Sequence, residues 1–84
     1  DGLLTSLSDR TFHVLNTHLT DILTCREDTI ILAMRYLYER MKIVVEPSGA
    51  VPLACVLENP ERFINQRVGI IISGGNVDLR NLPF

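Results

Sequence analysis

The sequence predicts an α/β fold in which the strands of a parallel sheet alternate with helices. Three short apolar runs, at 22–25, 43–45 and 68–72, each follow a segment that favours helix. The last run is apolar without alternation, so both of its faces have to be covered, which is typical of a parallel sheet between helices. The resulting order, αβαβαβ, agrees with this class. A chain of 84 residues forms one small domain at most.

The first predicted helix begins after Ser8, whose hydroxyl can accept hydrogen bonds from the free amides of a first turn. Phe12, Leu15 and Leu19 then recur on one helical face. The second predicted helix opens at 26–28, where two acidic residues suit the positive end of the helix dipole. Its charged residues lie largely outside one apolar stripe. That stripe consists of Ile30, Met34, Leu37 and Met41.

A third helix is predicted between two prolines. Pro47 disfavours helix at the residue before it, and Ser48 is placed to cap a helix that runs to about Leu57. Pro52 then falls near the first turn, where a missing N–H is most easily tolerated. The Asn-Pro pair at 59–60 ends the helix.

Composition excludes several classes of partner. A net charge of −2 gives no basic field for nucleic acid, and no apolar stretch is long enough to span a membrane. His13 and His18 are five residues apart, so they do not stack as a pair of metal ligands would, and no metal site is predicted. Cys25 and Cys55 are predicted to be reduced, buried thiols of a cytoplasmic protein. A start at Asp1 without a preceding Met predicts a fragment or a processed chain.

Two predicted strand ends carry polar and glycine-rich segments, Glu-Pro-Ser-Gly-Ala at 46–50 and Ser-Gly-Gly-Asn at 73–76. Ligands in open α/β sheets bind beyond the carboxyl ends of strands, and parallel strands place both segments on the same rim. Adjacent glycines allow the backbone to approach a ligand closely. Taken singly, each segment is also compatible with an ordinary turn or an exposed loop acid. A phosphate cradle is not predicted at 73–76, because no long helix follows it.

In order along the chain, the segments 1–3, 21–24, 39–50 and 70–79 resemble the C-terminal part of serine/threonine dehydratases and serine racemases. These are pyridoxal-phosphate enzymes with the tryptophan-synthase-β-like fold. The resemblance covers essentially the whole chain, so residues 1–84 are expected to be the C-terminal part of a cofactor-binding catalytic domain, which is incomplete by itself.

The resemblance implies a set of cofactor-binding residues. Ser73 matches the serine that hydrogen-bonds to the cofactor's pyridine nitrogen, and Glu46 matches an acid near the ring. Gly2 matches a glycine that lines the pocket, while Gly74 and Asn76 are expected to shape the turn. A neutral hydroxyl does not hold a proton on the ring nitrogen as an aspartate would, which makes the ring a weaker electron sink and suits both β-elimination and limited α-proton exchange.

The resemblance also implies what this chain lacks. The Schiff-base lysine of the family, its phosphate-binding glycine loop and the carboxylates that hold a divalent cation in many members all lie upstream. The lysine of this chain, Lys42, lies at a predicted helix-to-strand junction instead. No catalytic residue is therefore assigned within the chain, and the isolated 84 residues are predicted to be inactive.

The expected reaction converts L-threonine or L-serine to a 2-oxo acid and ammonia. In the resemblance, the upstream lysine removes the α-proton, water is lost, and the released enamine is hydrolysed. Amino-acid racemisation is the alternative within the family, and a non-catalytic α/β interaction module is the alternative outside it. The expected partners are an amino-acid substrate, the remainder of its own chain or a complementary chain, and a second copy of the full enzyme in a dimer.

Overall fold

A computed structural model describes residue 3 and residues 5–84 of the chain. The described part contains four helices joined by non-helical segments. In chain order they are α1 (Asp9–His18), α2 (Glu27–Met41), α3 (Pro47–Glu58) and the short α4 (Pro60–Phe63). The three helices predicted from the sequence are confirmed, whereas α4 was not predicted.

Helix α1 begins where its cap was predicted. The Ser8 hydroxyl accepts a hydrogen bond from the Thr11 amide at 3.2 Å, and the Ser8 amide donates to the Thr11 hydroxyl at 3.0 Å. Two amides that would otherwise lack a partner are thereby satisfied. The helix buries none of its residues, and Phe12 on its apolar face is 58% exposed. Within the described residues, the predicted apolar face of α1 therefore has no partner.

The hydrophobic core lies between α2 and α3. Two alanines of α3, Ala50 and Ala54, are fully buried against the apolar stripe of α2, and their small side chains allow the two helices to approach closely. The core cluster consists of Ile30, Ala33, Met34, Leu37, Val45, Ala50 and Ala54. Met41, the fourth residue of the predicted stripe, is the last residue of α2 and is 61% exposed, so only the first three stripe residues belong to the core.

A contact between the ends of α2 and α3 replaces a side-chain cap. Arg26 is the N-cap residue of α2, but its side chain makes no capping hydrogen bond. Its amide instead donates to a carboxylate oxygen of Glu58 at 2.7 Å. This hydrogen bond lowers the pKa of Glu58 below its usual value. The last residue of α3 thus fixes the position at which α2 begins.

Helix α3 begins two residues earlier than predicted. Its N-cap is Glu46 and its first residue is Pro47, so Ser48 is not the cap. Proline suits the first helical position because its φ angle is already helical and the missing N–H would have no partner there. Pro52 consequently lies inside the helix rather than in its first turn, where it removes one backbone hydrogen bond. The helix ends at Glu58, just before the Asn-Pro pair at 59–60, as predicted.

The structure differs from the sequence prediction at the three expected strands. Residues 22–25, 43–45 and 68–72 are non-helical, but no β ladder forms within residue 3 and residues 5–84. A strand requires neighbours that pair with its amide and carbonyl groups. The side chain of Ile71 is 82% exposed, so the last apolar run is uncovered among the described residues. None of the helices described here is long and apolar enough to cross a membrane.

Candidate functional site

The two segments that were predicted to share a rim are in direct contact. The Glu46 amide donates a hydrogen bond to the Gly74 carbonyl oxygen at 3.2 Å. The Glu46 carbonyl accepts from the Gly49 amide at 3.0 Å. The backbone of Glu46 is therefore bonded on one side to the turn at 73–76 and on the other side to the first turn of α3.

Two adjacent glycines allow this close contact. Gly74 has a φ of +97°, a backbone conformation that residues other than glycine rarely adopt. A Cβ atom on Gly74 would also collide with the Glu46 carboxylate, and a Cβ on Gly75 would lie only 2.7 Å from the Val44 carbonyl oxygen. The turn lies against the 44–46 segment because neither position carries a side chain.

The core anchors the chain beyond the turn. Val77 packs against the hydrophobic core, and its amide donates to the Gly75 carbonyl at 2.8 Å. Asp78 then accepts a hydrogen bond from the Arg80 amide at 3.0 Å, which closes a second turn. The segment 73–76 is thus held on one side by Glu46 and on the other side by Val77.

The resulting cluster offers a hydroxyl, an amide and a carboxylate. Ser73 and Asn76 are exposed, and Glu46 is half-buried. Of the five residues that the resemblance singled out, Glu46, Ser73, Gly74 and Asn76 therefore lie in the two joined segments. The fifth, Gly2, lies outside the described residues.

Lys42 is engaged elsewhere. It is the C-cap residue of α2 with a left-handed backbone, and its ammonium donates to the Glu39 carbonyl at 2.6 Å. This places a positive charge at the negative end of the helix dipole, which stabilises the helix. Lys42 also lines a cavity of about 520 Å³ together with Tyr38, Glu39 and Val44. Neither Glu46 nor Ser73 lines that cavity.

Sequence reasoning missed residues that hold the site together. Gly49 lies in the motif at 46–50 and Val77 directly follows the motif at 73–76, but neither carries a reactive group, so the sequence assigned no role to either. Gly49 lies inside a predicted helix, where alanine would be the better helix former, and this unfavourable choice could have drawn attention to it. The available signal for Val77 was an apolar residue directly after a polar turn.

Comparison with known proteins identifies the family. Residues 1–74 match the family described as pyridoxal-phosphate dependent enzymes. The match covers most of the chain, and the chain belongs to that family, whose cofactor is pyridoxal phosphate.

Curated relatives narrow the similarity within the family. The chain is 49% identical to a β-hydroxyaspartate dehydratase of Paracoccus denitrificans, over 100% of this chain and 27% of the relative. It is 44% identical to the serine racemase of Dictyostelium discoideum, over 98% of this chain and 26% of the relative. The chain thus spans about a quarter of the length of these relatives.

Solved structures show the same fold. The crystal structure of the Dictyostelium discoideum serine racemase matches with a TM-score of 0.85 and 46% identity, over 94% of this chain and 27% of that one. The structure of maize serine racemase also matches with a TM-score of 0.85, at 39% identity, over 95% of this chain and 27% of that one. The predicted fold class, an α/β fold of pyridoxal-phosphate enzymes, is thereby confirmed, together with the predicted resemblance.

The joined segments offer the kind of polar groups that a pyridine ring could use. A pyridine nitrogen requires a hydrogen-bond partner, and the exposed Ser73 hydroxyl can donate or accept. The glycine pair keeps the turn against Glu46 and leaves that hydroxyl at the surface.

Within residue 3 and residues 5–84, no group of three His, Cys, Asp or Glu side chains could hold a metal ion.

Proposed function

We propose that this chain forms the pyridine-nitrogen side of the cofactor site in a pyridoxal-phosphate-dependent dehydratase of hydroxy amino acids. In this proposal, residues 1–84 are the C-terminal part of the catalytic domain. The observation that carries the proposal is the hydrogen bond between the Glu46 amide and the Gly74 carbonyl. This bond joins the two segments that the family resemblance assigns to the cofactor.

Ser73 is the proposed partner of the ring nitrogen. The cofactor, when bound, supplies an electron sink for the pair of electrons left at the α-carbon of the substrate. The Ser73 hydroxyl orients the ring through one hydrogen bond but does not hold a proton on its nitrogen, because it is neutral and a weak acid. A weaker sink favours a reaction in which the electron pair at the α-carbon forms a double bond to the β-carbon, while the β-hydroxyl takes the electrons of its C–O bond and leaves, after protonation, as water. The serine therefore supports elimination of water.

Glu46 is the proposed orienting acid. Its backbone is fixed by the Gly74 carbonyl and the Gly49 amide, and its carboxylate lies beside Gly74. A half-buried carboxylate on a backbone fixed in this way can accept a hydrogen bond from the cofactor or from the substrate. Gly74 and Asn76 shape the turn, and Gly2 is proposed to line the same pocket.

The proposed substrate is L-threonine or L-serine, converted to a 2-oxo acid and ammonia. The names of two relatives, a β-hydroxyaspartate dehydratase and an L-threo-3-hydroxyaspartate ammonia-lyase, favour the elimination reaction and add 3-hydroxyaspartate as a substrate to test. A serine racemase is the second candidate, because a protein of that name matches this chain with a TM-score of 0.85.

The proposed enzyme requires residues beyond these 84. The cofactor-bearing lysine is proposed to come from elsewhere, because the resemblance places it upstream and the Lys42 ammonium binds the Glu39 carbonyl at the end of α2. The uncovered apolar residues support a further covering element, since Ile71 is 82% exposed and Ile22 is 76% exposed. The remainder of the enzyme is proposed to cover them. A homodimer and a cytoplasmic location remain predictions.

The test is an assay of the purified full-length protein with pyridoxal phosphate. L-Serine, L-threonine and L-threo-3-hydroxyaspartate are supplied separately, and 2-oxo acid, ammonia and the D-enantiomers are measured. We expect equal amounts of 2-oxo acid and ammonia from at least one substrate. Production of the D-enantiomer alone would support the racemase function and contradict the proposed dehydratase function. A protein that binds no cofactor and converts no substrate would favour the non-catalytic module.

A further inference from the structure

Gly49 lies in the first turn of α3 and is buried against the turn at 73–76. A Cβ atom built on Gly49 would lie 3.2 Å from the Gly74 carbonyl oxygen and 3.4 Å from the Ser73 amide nitrogen. It would also lie 2.7 Å from a methyl group of Val45, which is closer than such carbon atoms approach in proteins. Val45 and the carbonyl of Gly74 together therefore limit the space at position 49, and a side chain there would displace Val45, the turn or both.

Space, rather than backbone conformation, explains this glycine. Gly49 is helical and does not have a positive φ, in contrast to Gly74. Any L-amino acid can adopt its backbone angles, and glycine is a poor helix former because it loses much backbone entropy on folding. A glycine at this point weakens the first turn of α3, and the close approach of Val45 and of the Gly74 carbonyl oxygen explains why it is there.

Gly49 also contacts the other half of the site. Its amide donates to the Glu46 carbonyl at 3.0 Å, and the Glu46 amide donates to Gly74 at 3.2 Å. The three residues therefore form a closed set of contacts: two are hydrogen bonds, and the third is the packing of Gly49 against Gly74. A displacement at Gly49 moves the Ser73 turn relative to Glu46.

We propose that Gly49 is a positioning residue of the cofactor site. Its missing side chain sets how closely the turn at 73–74 packs on α3, and through that distance the position of the Ser73 hydroxyl relative to Glu46. This inference rests on the proposed function, in which Ser73 is the partner of the pyridine nitrogen. Gly49 itself acts through Ser73 and Glu46 rather than on the substrate.

The first test compares Gly49→Ala with Gly69→Ala in the full-length protein. Gly69→Ala is the control, because it adds the same methyl group at a residue whose Cβ would meet neither Glu46 nor the turn at 73–76 within 4 Å; the property compared between the two variants is the cofactor spectrum. We measure the dissociation constant for pyridoxal phosphate, the absorbance spectrum of the bound cofactor, and turnover. In the Gly49→Ala variant we expect weaker cofactor binding, a shifted spectrum and a loss of turnover of about twofold to fivefold, since displacements of a few tenths of an ångström affect catalytic geometry. Gly69→Ala is expected to match the wild type.

The second test separates the turn from the contact with Val45. Val45→Ala removes the methyl group that lies nearest to the added Cβ. Addition of Gly49→Ala to the Val45→Ala variant is still expected to shift the cofactor spectrum, because the contacts with Gly74 and Ser73 remain. If the double variant and the Val45→Ala variant had the same cofactor spectrum, Gly49→Ala would disturb only core packing, and the positioning role would be overturned.

The third test separates this inference from the proposed function. Ser73→Ala removes the hydroxyl through which Gly49 acts, so Gly49→Ala should change the spectrum of the Ser73→Ala variant much less than that of the wild type. If Ser73→Ala alters the spectrum but Gly49→Ala matches Gly69→Ala, only the role of Gly49 is overturned. A full-length protein that binds no pyridoxal phosphate overturns both.

Discussion

Met34 is the residue whose replacement tests the α2–α3 core most directly. Its side chain is 1% exposed and is the largest fully buried one in the described part of the chain. Met34→Ala removes three heavy atoms from a cluster whose α3 members, Ala50 and Ala54, are too small to fill the space. Substitutions of this kind cost about 2–5 kcal/mol, from lost apolar burial together with the cavity that remains.

The assay is urea unfolding of the full-length protein, followed by far-ultraviolet circular dichroism. Met34→Leu is the matched control, because it keeps nearly the same volume and is expected to cost less than about 1.5 kcal/mol. The expected free energies of unfolding therefore decrease in the order wild type, Met34→Leu, Met34→Ala. Equal losses for the two variants, or a Met34→Ala loss below about 1 kcal/mol, would refute the packing described for α2 and α3.

Four further outcomes are expected. Gly74→Ala should destabilise the full-length protein by about 1–2 kcal/mol in urea unfolding, from the positive φ alone, and should displace the Glu46 carboxylate, which is observable as weaker cofactor binding. Arg62 holds the pKa of Asp21 in the folded protein below its ordinary value of 3.8. The ion pair therefore stabilises the folded state above pH 3.8, and this stabilisation is lost as the pH falls through the lowered pKa of the folded protein. Asp21→Asn should accordingly make the unfolding midpoint depend less on pH under acidic conditions. Burial, with Cys55 as the next cause, raises the pKa of the Cys25 thiol to about 11, so alkylation by iodoacetamide at neutral pH should be much slower than for a free cysteine and should accelerate only in alkali. The isolated 84-residue chain should bind a hydrophobic dye and show no visible absorbance band with pyridoxal phosphate.

Each of these outcomes has a result that would contradict it. If the Gly74→Ala and Gly69→Ala variants had the same free energy of unfolding, the turn at 73–76 would have to accommodate the added methyl group without strain. If Asp21→Asn left the dependence of the unfolding midpoint on acidic pH unchanged, the ion pair of Asp21 with Arg62 would not persist in solution. Rapid alkylation of Cys25 at neutral pH would contradict its burial, and a dye-silent isolated chain would contradict the uncovered apolar surface.

Local signals in the sequence predicted most of the helices. The Ser8 cap is a contact between residues three apart, so the sequence alone contains everything that forms it. The cap of α3 was predicted two residues late, because serine is the commoner capping residue and the preference of Pro47 for the first helical position was not weighed against it. Met41 follows the period of the α2 stripe, but the period does not show where α3 ends its contact with α2.

Contacts between distant segments were harder to predict. Both cofactor segments were recognised as motifs, but their hydrogen bond at Glu46 and Gly74 depends on how α2 and α3 pack. The role of Gly49 depends on a gap of a few ångströms, which periodicity does not contain. The expected strands need pairing partners, and β pairing is a property of several segments together rather than of the apolar run at 68–72.

The measurement that tests the central claim most directly is the location of the cofactor-bearing lysine. The full-length protein is incubated with pyridoxal phosphate, reduced with borohydride to fix the cofactor to its lysine, digested, and analysed by mass spectrometry. We expect the modified lysine in a peptide outside these 84 residues, because the proposed role of this chain is to supply the opposite, ring-nitrogen side of the site. Stoichiometric modification of Lys42, or no specific modification at all, would contradict this assignment.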